Sequence, residues 1–282
     1  MHKPAPLAGM LARESRAKFQ ATHHEMDSLL LTVLGSGTSM GVPTLGCHCA
    51  VCDSSDPNDK RTRPALMLSY KGRNVVIDTT PDFRQQAIRE HIDRLDAVIY
   101  THSHADHILG LDDIRPYNLK QRSLVPIYAS ARTQETLRRQ FAYIFDEGPT
   151  ESSLPGVELR SIDGPFELFG LTIIPVAANH GSSPVLGFRF ANAAYLTDFS
   201  TVPGSSKPLL QGLDVFILDA LRYRPHPTHS NVEQSLALVN EVKPKRAWFT
   251  HICHDLGHEE TNAKFPPNVR LAHDGLKIEV AL

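Results

Sequence analysis

VIYTHSHADH, residues 98–107, gathers three histidines and an aspartate within ten residues. It sets His102, His104, Asp106 and His107 in an H-x-H-x-D-H array. The short run Asp96–Tyr100, mostly apolar, reads as a buried strand, and Ile108–Leu111 is apolar enough to start a helix. The array therefore stands where a strand gives way to a helix. A strand end fixes side chains in space, and the loop beyond it lets alternate residues turn the same way. His102 and His104 can converge on one point, and Asp106 and His107 on a second nearby. Imidazole together with carboxylate is a donor set for a divalent transition metal. Single histidines need no explanation in a chain that has 15 of them, but four specified residues packed this closely do.

The 282 residues are enough to bury a large core, as one domain or two fused halves. Net charge is −2 with histidine neutral, which gives no basic field for general nucleic-acid binding. No apolar run approaches the roughly 18 residues of a membrane span. The N-terminus has no secretory apolar region with a cleavage site. The four cysteines are too few and too bunched for a disulfide scaffold. Cys47, Cys49 and Cys52 form C-x-C-x2-C and read as zinc ligands in a reducing cytoplasm. Tetrahedral closure needs a fourth ligand, for which His254 and Cys253 both qualify. His48, inside the loop, is expected to be exposed.

Residues 1–25 are polar and aperiodic and are expected as a disordered tail, with a transit peptide as the other reading. Met26 stands directly before the first strand and offers an alternative start. Residues 26–282 are then expected as one domain, with a cysteine loop at 46–53. Strands are expected at 27–34, 65–70, 74–78, 124–129, 171–176, 185–190, 193–196, 215–220, 245–252 and within 274–282. Helices are expected at 83–92, at 133–145 starting from Thr133, and from a Ser230/Glu233 capping box to about Val242. Residues 146–165 give no pattern. Asp78 ends one strand and is either a helix cap or a partner that orients a ligand histidine, the second being favoured. Asp198 ends another strand in the same way. His180 follows a strand, His229 precedes the last long helix, and the 245–252 strand delivers His251.

The array resembles the signature of the metallo-β-lactamase superfamily of binuclear metal hydrolases. The ordered set of the array, His180, Asp198, His229 and His251 carries that likeness over residues 29–282. The resemblance implies an α/β (α+β) fold, a four-layer αββα sandwich of two mixed sheets flanked by helices. It implies that His102, His104 and His180 hold one divalent ion and that Asp106, His107 and His251 hold a second. Asp198 bridges them, and the ions are manganese or zinc. A metal-bridging water or hydroxide is the implied nucleophile.

Within that superfamily the likeness is greatest to the phosphoribosyl 1,2-cyclic phosphate phosphodiesterase family of phosphonate breakdown. G-x-G-T-x-x-G-V-P from Gly35 leads into G-C-x-C-x2-C at Gly46–Cys52, and T-H-I-x-H spans Thr250–His254. The likeness implies that His254 completes a structural zinc with the three cysteines. It also implies that His229 is the general acid, working beside Asp106 and Asp198. The expected activity is metal-dependent hydrolysis of a small, cyclic phosphodiester. The alternatives are a tRNA 3′-processing endonuclease, which needs a basic gripping arm not found here, and a carrier resembling pyrroloquinoline-quinone protein B. The residues between His107 and His180 depart from the family pattern, so substrate contacts are not carried over. No stable nucleic-acid partner and no membrane are expected, the expected location is cytoplasmic, and a homodimer is left open.

Overall fold

The computed structural model describes residues 28–146 and 152–282; the expected tail at 1–25 lies outside them. Six strands come first: β1 (Ser28–Gly35), β2 (Ala65–Tyr70), β3 (Arg73–Ile77), β4 (Ala97–Ile99), β5 (Val125–Ala129) and β6 (Val157–Ser161). Then follow β7 (Phe166–Leu168), β8 (Leu171–His180), β9 (Ser183–Phe190), β10 (Ala193–Leu196), β11 (Val215–Asp219), β12 (Arg246–Thr250) and β13 (Val269–Leu271), before β14 (Lys277–Ala281). One seven-stranded sheet has the order β14-β1-β2-β3-β4-β5-β6, and the other β13-β12-β11-β10-β9-β8-β7. Each sheet is mixed. The strands from β3 to β6 and from β10 to β13 run parallel, and the remaining pairs are antiparallel. The helices are α1 (Phe83–Arg89), α2 (Ala105–Ile108), α3 (Arg115–Gln121), α4 (Ala131–Gln140), α5 (Ala142–Phe145), α6 (Val232–Val242) and α7 (His258–Asn262).

Side-chain alternation along the strands sorts the apolar residues into layers. Leu29, Leu31 and Val33 of β1 and Ile77 of β3 point inward to meet Ile173, Phe188, Tyr195 and Ile217 of the other sheet. Val76, Val98 and Ile127 point outward and pack with Phe83 and Leu137 from α1 and α4. Phe216 and Leu218 pack with Val232, Val239 and Val242 of α6 on the far side. These three apolar layers separate the four layers of an αββα sandwich. Among the described residues, no helix is long and apolar enough to cross a membrane.

Several local expectations are corrected. The helix expected at 133–145 begins two residues earlier, because Ser130 caps it by accepting from the Thr133 amide. It also breaks at Phe141, which buries its ring with a non-helical backbone and separates α4 from α5. The capping box at α6 is Asn231 with Gln234, not Ser230 with Glu233. The Ser230 amide instead donates to Phe199 and its hydroxyl meets Ser235. β8 runs past Val176 to His180, because β9 offers it a partner as far as the His180–Ser183 pair. β6 lies inside the stretch that gave no pattern. As an edge strand with a largely exposed sequence it carries little apolar alternation.

Arg61 anchors the loop before β2 to the C-terminal part of the chain. Its side chain is fully buried and pairs with Asp59 at 2.9 Å. It also donates to the carbonyls of Cys253 at 3.1 Å and Leu256 at 2.7 Å. Removing one partner of a buried pair leaves the other charge unmatched. Arg61→Ala is therefore expected to destabilise the protein by about 3–5 kcal/mol in urea unfolding. A loss below about 1 kcal/mol, the range of exposed pairs, would show that this anchor is dispensable.

Candidate metal centres

The loops that bear the candidate residues leave the C-terminal ends of β3, β4, β8, β10, β11 and β12, mostly parallel strands whose ends gather at one edge. Three of the residues there are non-glycine yet left-handed: Asp78 at φ 66°, Asp198 at φ 54° and His251 at φ 57°. Such backbone costs of the order of 1–3 kcal/mol per residue and survives only where the surroundings impose it. Gly110, just after the array, is held against the loop after β3. A Cβ there would lie 2.0 Å from the Thr80 carbonyl oxygen, so only glycine fits. α2 starts inside the array, with His104 as its N-cap residue, rather than behind it.

Two groups of donors result. His102, His104 and His180 come together, with ring centroids 4.6, 5.0 and 5.7 Å apart. Asp106, His107, Asp198 and His251 form the second group. Asp198 reaches both: its carboxylate is 3.3 Å from His107 Nε2, 3.2 Å from His251 Nε2 and 3.9 Å from His102 Nε2. Two ligands on one tetrahedral cation, at bonds of 2.0–2.2 Å, stand about 3.3 Å apart, so the spacing fits a shared ion. The Nε2 atoms of His102, His107 and His251 are buried and make no hydrogen bond. They point toward common centres rather than at one another, which is what ligands do.

The opposite ring nitrogens of His107 and His180 are held, whereas that of His251 is buried without a hydrogen-bond partner. His107 Nδ1 donates to Asp78 at 2.7 Å, and Asp78 also accepts from the Thr101 amide and hydroxyl. His180 Nδ1 donates to the Thr228 carbonyl at 2.7 Å. These bonds fix the tautomer that leaves Nε2 free for a cation. The electrostatics are those of a site built for positive charge. Burial alone would lower His107, but Asp198, Asp106 and Asp78 outweigh it and hold it well above its ordinary pKa. Burial also works against His251, yet Asp198 and its neighbours raise it to about 9. Burial opposes ionisation of Asp198, but His251 and His107 overcome it and keep its carboxyl far below the usual range. Burial, with His107 beside it, pushes His102 well down.

His229 stands at the edge of both groups. Its Nδ1 faces Asp219 Oδ2 at 2.8 Å, and its ring stacks on His251 at 4.5 Å. Asp219 is a residue that the sequence reading missed, although it ends β11 as Asp78 follows β3. A cavity of about 210 Å³ opens beside His229, with Arg222, Arg224 and His226 in its wall.

The cysteine loop forms a separate group. His254 Nδ1 is 3.2 Å from Cys47 Sγ, 3.6 Å from Cys49 Sγ and 3.4 Å from Cys52 Sγ. One tetrahedral zinc with bonds of 2.3 Å to sulfur and 2.0–2.1 Å to nitrogen sets such pairs about 3.6 Å apart. The amides of Thr44 and Cys52 point at Cys52 Sγ and Cys49 Sγ. Burial pushes the Cys52 thiol up to about 11, and the Cys52 amide draws Cys49 below its ordinary value. Cys253, the rival fourth ligand, is buried apart from this group and its sulfur accepts from the Asp255 amide. His48 is exposed beside Asp53, as expected.

A family profile described as Beta-lactamase superfamily domain matches residues 73–252. A Porphyromonas gingivalis protein named octanoyltransferase is 36% identical over 253 residues, covering 87% of this chain and 50% of that protein. A ribonuclease Z of Bradyrhizobium diazoefficiens is 28% identical over 147 residues, covering 50% of this chain and 48% of the enzyme. The chain thus spans about half the length of these curated relatives. The crystal structure of a new diphosphatase from the PhnP family superposes with a TM-score of 0.86 at 52% identity, covering 90% of this chain and 98% of that one. The chain belongs to the metallo-β-lactamase superfamily and is related to the PhnP family.

Proposed function

We propose that the chain hydrolyses small phosphodiesters, cyclic ones such as phosphoribosyl 1,2-cyclic phosphate among them. The observation that carries this reading is Asp198, one buried carboxylate standing between two histidine groups. That arrangement suits a pair of ions, with His102, His104 and His180 on one side, Asp106, His107 and His251 on the other, and Asp198 shared. When bound, two divalent cations, manganese or zinc, polarise the phosphoryl group and make a water nucleophilic at neutral pH. The kinship with a diphosphatase of the PhnP family supports phosphorus chemistry, and the Arg222, Arg224 and His226 wall supports an anionic substrate.

The chain's own part in the reaction falls to His229. Water adds its oxygen to phosphorus, the P–O bond to the leaving alcohol breaks, and that oxygen needs a proton. With its Nδ1–H held by Asp219, His229 in its doubly protonated form donates the Nε2 proton to the leaving oxygen, and the proton lost by the attacking water passes through solvent to restore that form. Asp219 holds the ring in position for that transfer. Asp78 does the same for His107 as a ligand.

Zinc in the group of Cys47, Cys49, Cys52 and His254 is structural in this reading. Soft thiolates close the site and leave no open position for substrate. Ribonuclease Z kinship favours a second reading, cleavage of precursor tRNA at its 3′ end. The net charge of −2 argues against it, since tRNA binding draws on many cationic contacts.

Three measurements test these assignments. His229→Ala is expected to lower kcat about 10²–10⁴-fold on a diester with an alkoxide leaving group, and much less on a p-nitrophenyl ester. Equal losses on both would remove the proton-donor role. His254→Ala is expected to lose one tightly bound zinc and much stability while the catalytic ions still load. His251→Ala should keep that zinc and the fold but lose turnover. Loss of the tight zinc in Cys253→Ser, with His254→Ala unaffected, would reverse the choice of fourth ligand. Precursor tRNA is expected to bind weakly. Micromolar or tighter binding with a steep salt dependence and 3′ cleavage would favour the nuclease instead.

A further inference from the structure

A second cavity, of about 320 Å³, shares no wall residue with the arginine-lined one. His102 and His104 form its inner wall, so whatever fills it is continuous with the metal centre. Its floor comes from the β8–β9 hairpin, where Ala177 and Leu186 are direct cross-strand partners with side chains on one face. Pro184 continues that surface. Ala177 and Pro184 are exposed, so apolar surface lies bare next to the reacting group. The start of α4 adds to the wall, where Arg132 is the one ionisable side chain besides the two histidines among the described residues.

We propose that this cavity is a subsite for the ester arm that stays on phosphorus, and that it takes an apolar ring, aryl or heterocyclic. The proposal rests on the phosphodiesterase reading above. Three features favour a ring over a second anion. The cavity has one cationic side chain, against Arg222, Arg224 and His226 around the other. Its floor is aliphatic, so water there is displaced favourably by apolar surface. Its size is also apt: an apolar cavity of about 150 Å³ already accepts benzene, so this one holds a ring with room to spare. The Arg132 guanidinium, exposed at the mouth, can lie over the ring face. His229 lines the arginine-lined cavity and not this one, which assigns the leaving group to that cavity and the retained arm to this one.

The test compares methyl p-nitrophenyl phosphate with phenyl p-nitrophenyl phosphate, which share a leaving group, on the metal-loaded full chain. Wild-type protein is expected to favour the phenyl arm in kcat/KM by about tenfold or more. Ala177→Trp, which fills the cavity, should bring that ratio to within about twofold of unity, and Pro184→Lys, which charges its surface, should lower it as well. Calorimetry of phenylphosphonate against methylphosphonate reads the same preference without turnover. A wild-type ratio near one, or a preference that survives Ala177→Trp, overturns the subsite. Hydrolysis of both diesters with no arm preference sinks the subsite and leaves the phosphodiesterase reading standing. A phosphonate preference without diester hydrolysis supports the subsite and sinks that reading.

Discussion

Everything in this protein depends on the buried carboxylate of Asp198. A carboxylate taken out of water is tolerable only with opposite charge against it, and here that charge is His251 and His107. The same demand governs the imidazoles, whose buried Nε2 atoms have no hydrogen-bond partner of their own. Neither set is comfortable alone. Bringing them together requires two sheets whose strand ends meet at one edge, and three residues held in left-handed backbone. The sandwich supplies the rigidity: its inner layer joins both sheets from Leu29 to Ile217, so strand ends from different halves keep their spacing.

The fold class and most of this site were legible in the sequence, because the signals are local. A strand followed within a few residues by His or Asp can be read without knowing where the strand lies. Asp78, Asp198 and His251 were found that way. Asp219 carries the same signal and was passed over, since its meaning comes from His229, ten residues on, and from His251 across the sheet. The three-residue strands β7 and β13 were missed for a similar reason. Each is defined by a neighbouring strand, and neither is long enough to show its own period. The misplaced capping box shows the limit of motif spacing: Ser230 and Asn231 both satisfy the pattern, and only the buried contacts of Ser230 decide between them.

Two of the long-range ties that secure the loop between β1 and β2 reach residues 253–256. One is the buried guanidinium of Arg61, which reaches the Cys253 and Leu256 carbonyls. The other is the approach of His254 to three sulfurs in that loop. Backbone bonds run alongside, from the Ile252 amide to Ser36 and from the Thr38 amide to Ile252. Charge, sulfur and backbone thus draw the same two segments together. The wall of the arginine-lined cavity contains Thr38, Met40 and His254 from these very segments, so its shape is set by the ties and not by either strand alone.

The segment from His251 to His254 has a consequence for how this chain can change over time. Its ends serve different donor groups, and Ile252 between them is fully buried and hydrogen-bonded to the opposite loop. The interval therefore works as a ruler. Adding or removing one residue there would rotate one imidazole away from its group whichever end stayed put. Substitutions elsewhere can be absorbed one at a time, but the length of this interval can be altered only by giving up one of the two groups. Descendants that abandon the cysteine loop are thereby released from the constraint, and those that keep it inherit a fixed count between the two histidines.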